Sequence, residues 1–281
     1  MTEIPDKFDE LSSKHFSINF VDASPSELIH NSNEKFISIV SVHFFHLNRS
    51  KLKKISQFKK TRGIKRKLQT QKYIIDSVDN NLVNLLGISN WNLTEVALKN
   101  GIYILKLAKI IDKDKDFNEN IIINNVSVTY GLCISLGWYS IVLATFMSQI
   151  GQIARVTNKK NAAILLDLLP GDNISNFRNM RIVESIIENS ILSEFQTDAI
   201  QNNKLETLGF GYGQKNGTTR DLKNDFEYVI VDWIVQSFHS LLQFEKNNLN
   251  KNSEEYQLSE LARYLLKKGK FKIIDAFKII D

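Results

Sequence analysis

The chain has 281 residues, 43% of them hydrophobic and 24% charged, with a formal net charge of +5. That is enough apolar content for one large core or two modest ones, while the single cysteine, Cys133, excludes a disulfide framework or a cysteine-rich zinc module and agrees with a reducing compartment. The positive surplus permits an acidic partner such as nucleic acid without requiring one.

The opening stretch, MTEIPDKFDELSSK, is polar and acidic where a secretory signal needs a basic start and an apolar run, so a cytoplasmic protein is expected. Residues 16–22 and 34–47 are rich in β-branched and aromatic side chains and read as two strands, with polar turn residues between them. They predict an antiparallel hairpin. Its first strand ends in FVDASP, with Asp22 directly after Val21 and Pro25 three residues on. Either Asp22 opens a turn or it holds a ligand.

From Ser50 to about Gly87 the chain turns basic and then amphipathic. The stretch RSKLKKISQFKKTRGIKRK, residues 49–67, contains no acid and interleaves Leu52, Ile55 and Phe58 with its charges. Lys51, Lys53, Lys54, Lys59, Lys60, Arg62, Lys65, Arg66 and Lys67 would neutralise several phosphates of a nucleic acid. The plainer reading is a solvated helix face or loop. Following the second strand directly, the stretch is expected beside Asp22. NWNLTEVALKNGIYILKLAKIIDK continues with helical spacing, and Asn92 or Thr94 is the candidate cap.

A polar break, residues 112–125, precedes a run without a charged side chain from Asn120 to Ala154. That exceeds the roughly 20 residues a membrane span needs. Thr129, Ser135, Ser140, Thr145, Gln149 and Gln152 recur through it, however, and favour a helix buried in protein, so no stable membrane association is expected. Cys133 in this run has no adjacent base and reads as packing, and Trp91, Trp138 and Trp233 read as core.

In NKKNAAILLDLLPGDN, Ala162 to Asp167 reads as a buried strand followed by a turn at Pro170 and Gly171. Residues 176–195 read as an amphipathic helix, and TLGFGYGQKNGTTRD, 207–221, as a short strand or glycine-rich loop that offers Lys215 and Arg220 to an anion. LKNDFEYVIVDWIVQSFHSLLQFEKN is helical, and the remainder predicts one or two more helices whose apolar face suits a protein partner or self-association. His43 and His46 alternate poorly for one strand face and read as ordinary core or edge histidines, whereas His239 stands two helical turns after Asp232. With no Pro- or Gly-rich linker, residues 1–281 read as one domain, carrying a basic helical insertion around 49–80 and a C-terminal helical extension around 250–281.

FVDASP and LLDLLP share a grammar: an Asp after apolar residues, a Pro three further on. Asp232 is the third acid in an apolar setting, flanked by Val229–Val231 and Trp233–Val235. Burying an unpaired carboxylate costs several kcal/mol, so such acids are protonated, hydrogen-bonded, ion-paired or bound to a metal. Converging carboxylates repel, and a divalent cation such as Mg²⁺ or Mn²⁺ relieves the repulsion with the oxygen ligands it prefers.

The order of these elements resembles the RNase H-like superfamily, in which scattered acids bind two Mg²⁺ ions. More narrowly, FVDASP, AAILLDLLPGD and YVIVDWIVQSF resemble the motifs of a widespread prokaryotic family with a YIDESG first strand and a late LQLADLIAGA-type helix. The resemblance implies an α/β fold, an RNase H-like mixed sheet with helices packed on it, enlarged by helical insertions and a helical C-terminus. It also implies Asp22, Asp167 and Asp232 as Mg²⁺ or Mn²⁺ ligands in phosphodiester hydrolysis of RNA or DNA, with Lys215 loosely matching a basic catalytic position. Ala23 stands where the family has a Glu, and Asp172 and Asp225 are the candidates to replace that ligand. The alternative is a catalytically degenerate subunit of the same fold that binds nucleic acid or protein.

Overall fold

In a computed structural model the protein is described over residues 16–24, 36–52, 63–107, 121–123, 126–128, 150, 153–154, 157–166, 197, 200–202, 204–212 and 226–275. It is an α/β structure built on a six-stranded mixed sheet. Strands β1 (Phe16–Ser24) and β2 (Phe36–Leu47) form the expected antiparallel hairpin, with Asn19 opposite His43 and Asp22 opposite Val40. β3 (Val83–Leu93) continues antiparallel to β2. On the other side of β1, β6 (Asn161–Leu166) and β7 (Thr207–Tyr212) add in parallel, and β8 (Phe271–Asp275) adds parallel to β3. The strand order is β7-β6-β1-β2-β3-β8, while β4 (Ile121–Ile123) and β5 (Val126–Val128) pair separately.

Every strand of the large sheet except β2 runs the same way, so five carboxyl ends share one edge. Helices or loops meeting that edge are where polar groups gather in open α/β sheets.

Helix α1 (Ile64–Asp79) lies between β2 and β3 in the chain, and α2 (Thr94–Leu107) follows β3 directly. Thr94, one of the two expected caps, is the first helical residue of α2 rather than the residue before it. The other, Asn92, belongs to β3, where its Oδ1 accepts from the Leu93 N–H at 2.8 Å. Helix α1 is amphipathic and turns Ile74 and Val78 into the main core. The long helix α3 (Phe226–Lys246) packs on β1 and β2, joining Phe20, Val40 and Val42 of the sheet to Ile230, Val231 and Ile234. Its other flank meets α4 (Glu254–Leu258) and α5 (Glu260–Lys267): the Ser237 hydroxyl donates to the Leu258 carbonyl at 2.8 Å and accepts from the Ala262 N–H at 3.0 Å.

The C-terminal segment departs from the helical extension expected of it. Helix α5 stops where Gly269 takes φ 64°, with Lys270 N–H bonded to Leu265 O and Gly269 N–H to Leu266 O, a Schellman-type ending. The chain then extends as β8 and seats Phe271 in the core directly over Gly87, where a Cβ would fall inside the phenyl ring. An open ladder on β3 outweighs the helical spacing of the apolar residues. The apolar face of α5 is likewise spent internally, since Leu261, Ala262 and Leu265 lie in the main core.

Candidate functional site

Asp22 sits inside β1, two residues before its end, rather than at the strand terminus. It is 6% exposed. Alternation along a strand puts Asp22 on the face of Phe20 and of its partner Val40, the face that packs on α3. One carboxylate oxygen accepts from the neighbouring Ala23 N–H at 2.8 Å. Ala23 projects to the opposite face, where it is also buried. A Glu at position 23 would therefore point away from Asp22, to the side of the sheet opposite α3.

Two contacts mark how α3 lies. At its start, the Arg49 guanidinium, just after β2, donates to Glu227 at 2.6 Å. At its end, the Lys246 ammonium stands 4.1 Å over the Trp91 ring, on the β3 residue that pairs with Ser38 and so lies level with Ser24. Helix α3 therefore runs in the same sense as β1. Near its beginning, Tyr228 meets Phe20 edge to face with centroids 5.2 Å apart. Asp22 is two strand residues past that contact, and Asp232 four helical residues past it, each about 6–7 Å further along.

Asp232 is turned about 40° round the helix from Tyr228, onto a half-buried polar stripe with Gln236, Ser240 and Gln243. Gln236 donates to its carboxylate at 2.8 Å. This stripe lies away from the Ser237 flank that meets α4 and α5, so Asp232 is half-buried and its apolar setting in the sequence does not enclose it. Two of the three expected acids thus share the α3 side of β1. Asp167, Asp172, Asp225, Lys215 and Arg220 lie outside the described residues. Among the described residues, no three His, Cys, Asp or Glu side chains are grouped to hold a metal ion.

The basic stretch starts elsewhere than expected. The hairpin register carries β2 seven residues beyond Val40 to Leu47, so Arg49 and Lys51 begin roughly 24 Å from the level of Asp22. Arg49 is tied to Glu227, and the exposed Lys51 offers its carbonyl to the Tyr73 hydroxyl at 3.4 Å. Lys65, Arg66 and Lys67 form the first turn of α1, which has no acid there and whose cap, Gly63, supplies no side-chain bond. A helix N-terminus with cations in its first turn favours an anion. Lys53, Lys54, Lys59, Lys60 and Arg62 lie outside the described residues, as do Cys133 and Trp138.

On the sheet face away from α3, His43 donates from Nδ1 to the Ile18 carbonyl at 2.9 Å. Burial lowers its pKa, the Ile18 bond opposes that, and the Lys159 charge lowers it further. His46 is exposed, separated from His43 by a register shift, so the two do not ligate together. Asn19 and Asn90, 1% and 0% exposed, have no hydrogen-bond partner for either amide atom among the described residues. On α3, burial pushes His239 down to about 4.

The sequence reading missed two features. Glu227 is a buried acid at the start of α3, and Trp91, expected as core, is half-buried beneath the exposed Lys246. No helix among the described residues is long and apolar enough to cross a membrane, and most of the uncharged run lies outside them. Comparison with protein-family models, curated proteins and solved structures gives no match to this chain.

Proposed function

We propose that the chain is a metal-dependent nuclease-like protein of RNase H-like fold that hydrolyses phosphodiester bonds in RNA or DNA. The observation that carries this reading is Asp22, a 6% exposed carboxylate inside a strand, sharing the α3 side of the sheet with Asp232. The third member of the set, Asp167, follows in sequence directly after Leu166, the β6 residue that pairs with Val21. Three such carboxylates would make an all-oxygen donor set suited to Mg²⁺ or Mn²⁺. Such ions, when bound, activate water and neutralise charge on a phosphate. Asp22, held by its own strand and the Ala23 N–H, has the pre-set orientation a ligand needs.

The test is cleavage of end-labelled single-stranded RNA and DNA by the full chain with Mg²⁺ or Mn²⁺, compared with Asp22→Asn and Asp232→Asn. Each substitution is expected to lower the rate on the order of 100-fold or more while the thermal midpoint stays within a few degrees. Cleavage that persists in both variants, or in the presence of a chelator, refutes the proposal. Oligonucleotide binding without metal binding or cleavage would assign the chain to the degenerate, binding-only alternative.

A further inference from the structure

We propose that Trp91, Phe36 and Lys246 form a nucleobase subsite for single-stranded nucleic acid on the same face and edge of the sheet as Asp22. The inference rests on the nuclease-like reading and names how its substrate is gripped. Pairing of Ser24 with Ser38, and of Ser38 with Trp91, puts Trp91 on the Asp22 face by alternation along the strands. It lies two strands across and two residues along from Asp22, roughly 12 Å away, well inside the footprint of about 4–16 nucleotides of a single-strand groove. Trp91 and Phe36 meet edge to face with centroids 6.3 Å apart, both half-buried. The exposed Lys246 holds its ammonium 4.1 Å over the indole.

An aromatic ring and the cation now lying over its face are the two groups that a nucleotide's flat base and negative phosphate would engage. The two contacts compete for the ring, and magnitudes decide between them. An exposed ammonium over an indole is worth about 0.5–1 kcal/mol, whereas a stacked base is worth about 1–3 kcal/mol. The base takes the ring, and the flexible Lys246 side chain moves to the adjoining phosphate. The basic stretch expected to grip a substrate begins at the other end of β2, with Lys51 its first named cation, whereas Lys246 is a cation at the edge where Asp22 stands.

The experiment measures binding of fluorescein-labelled dT and U 12-mers, and of an abasic 12-mer with the same backbone, to the full chain in a metal chelator. Wild type is expected to bind at least one base-bearing strand about ten-fold more tightly than the abasic strand. Trp91→Leu reduces that ratio to about one, Trp91→Phe retains most of it, and Lys246→Met weakens all strands alike while lowering the salt slope by about one. An unchanged ratio in Trp91→Leu, a wild-type ratio of one, or no binding of any strand overturns the subsite. Should Trp91→Leu fail to fold, a Lys246→Met protein with wild-type affinity and an unchanged salt slope overturns it as well. Because no divalent ion is present, these outcomes are independent of Asp22-dependent cleavage: loss of the base preference leaves the nuclease reading standing, and absence of cleavage leaves the subsite standing.

Discussion

His239 links the core of α3 to pH. It is buried, and burial lowers its pKa from 6.5 to about 4. Between those values the unfolded chain binds a proton that the folded chain does not, so stability rises with pH across the window. The contribution is flat above about 7, falls as pH drops through 6.5, and levels off below about 4. One pKa unit corresponds to about 1.36 kcal/mol, so going from pH 7 to pH 4.5 costs the folded protein roughly 2–3 kcal/mol through this residue alone. His43, lowered mainly by burial, acts with the same sign. The assay is urea unfolding at half-unit steps from pH 7.5 to 4.5 for wild type and for His239→Leu, which keeps an apolar side chain in the site. Carboxylates common to both proteins cancel in the difference. Wild type is expected to lose roughly 2–3 kcal/mol more than the variant. Parallel curves, agreeing within about 0.5 kcal/mol at every pH, would refute both the burial argument and its sign.

Gly87→Ala pushes a methyl group into the space of the Phe271 ring, with an expected cost of about 1–3 kcal/mol. Phe271→Ala costs about 3–5 kcal/mol, and hydrogen exchange should show lost protection confined first to β8; protection unchanged in both variants would contradict the seating of that ring. Arg49→Ala leaves the buried Glu227 carboxylate without its guanidinium partner and is expected to cost about 1–3 kcal/mol, part of which Glu227→Gln restores. A double-mutant cycle by chemical denaturation measures this, and a coupling energy near zero would relegate the pair to an ordinary surface contact.

Much of the sheet was legible because its strands declare themselves locally. β1 and β2 are dense in Phe, Val and Ile, β6 reads as an uninterrupted apolar run, and their roles in a hairpin and a buried strand follow from that chemistry. β3 was hidden by its composition: VNLLGISNWNL carries three Asn, a Ser and a Gly, residues that favour turns, yet Asn90 is fully buried because neighbours pair on both sides. β8 was hidden by period, since FKIID places apolar residues three apart as a helix does; only the Gly269 stop ahead of it signalled a change. At the site, Asp22 was visible as a charge in an apolar strand. That Asp232 follows the Tyr228–Phe20 contact in the same sense as Asp22 was not, because that depends on the direction of α3, marked by Glu227 and Lys246 at its two ends. The same register moved Arg49 and Lys51 away from Asp22, a separation that no reading of adjacent sequence conveys.

The pairing of β3 with β8 also sets a timetable. The ladder partner of Gly87 and Trp91 is translated about 180 residues after β3 itself, which at roughly 5–20 residues per second leaves that edge uncovered on the order of 10–40 s. During that interval β3 exposes a row of backbone donors and acceptors and the glycine gap that Phe271 later fills, a template for another strand. Yield of native protein should therefore respond to the speed of synthesis and to temperature during expression more than to equilibrium stability. A peptide spanning residues 268–275, supplied in trans, would compete for the same edge.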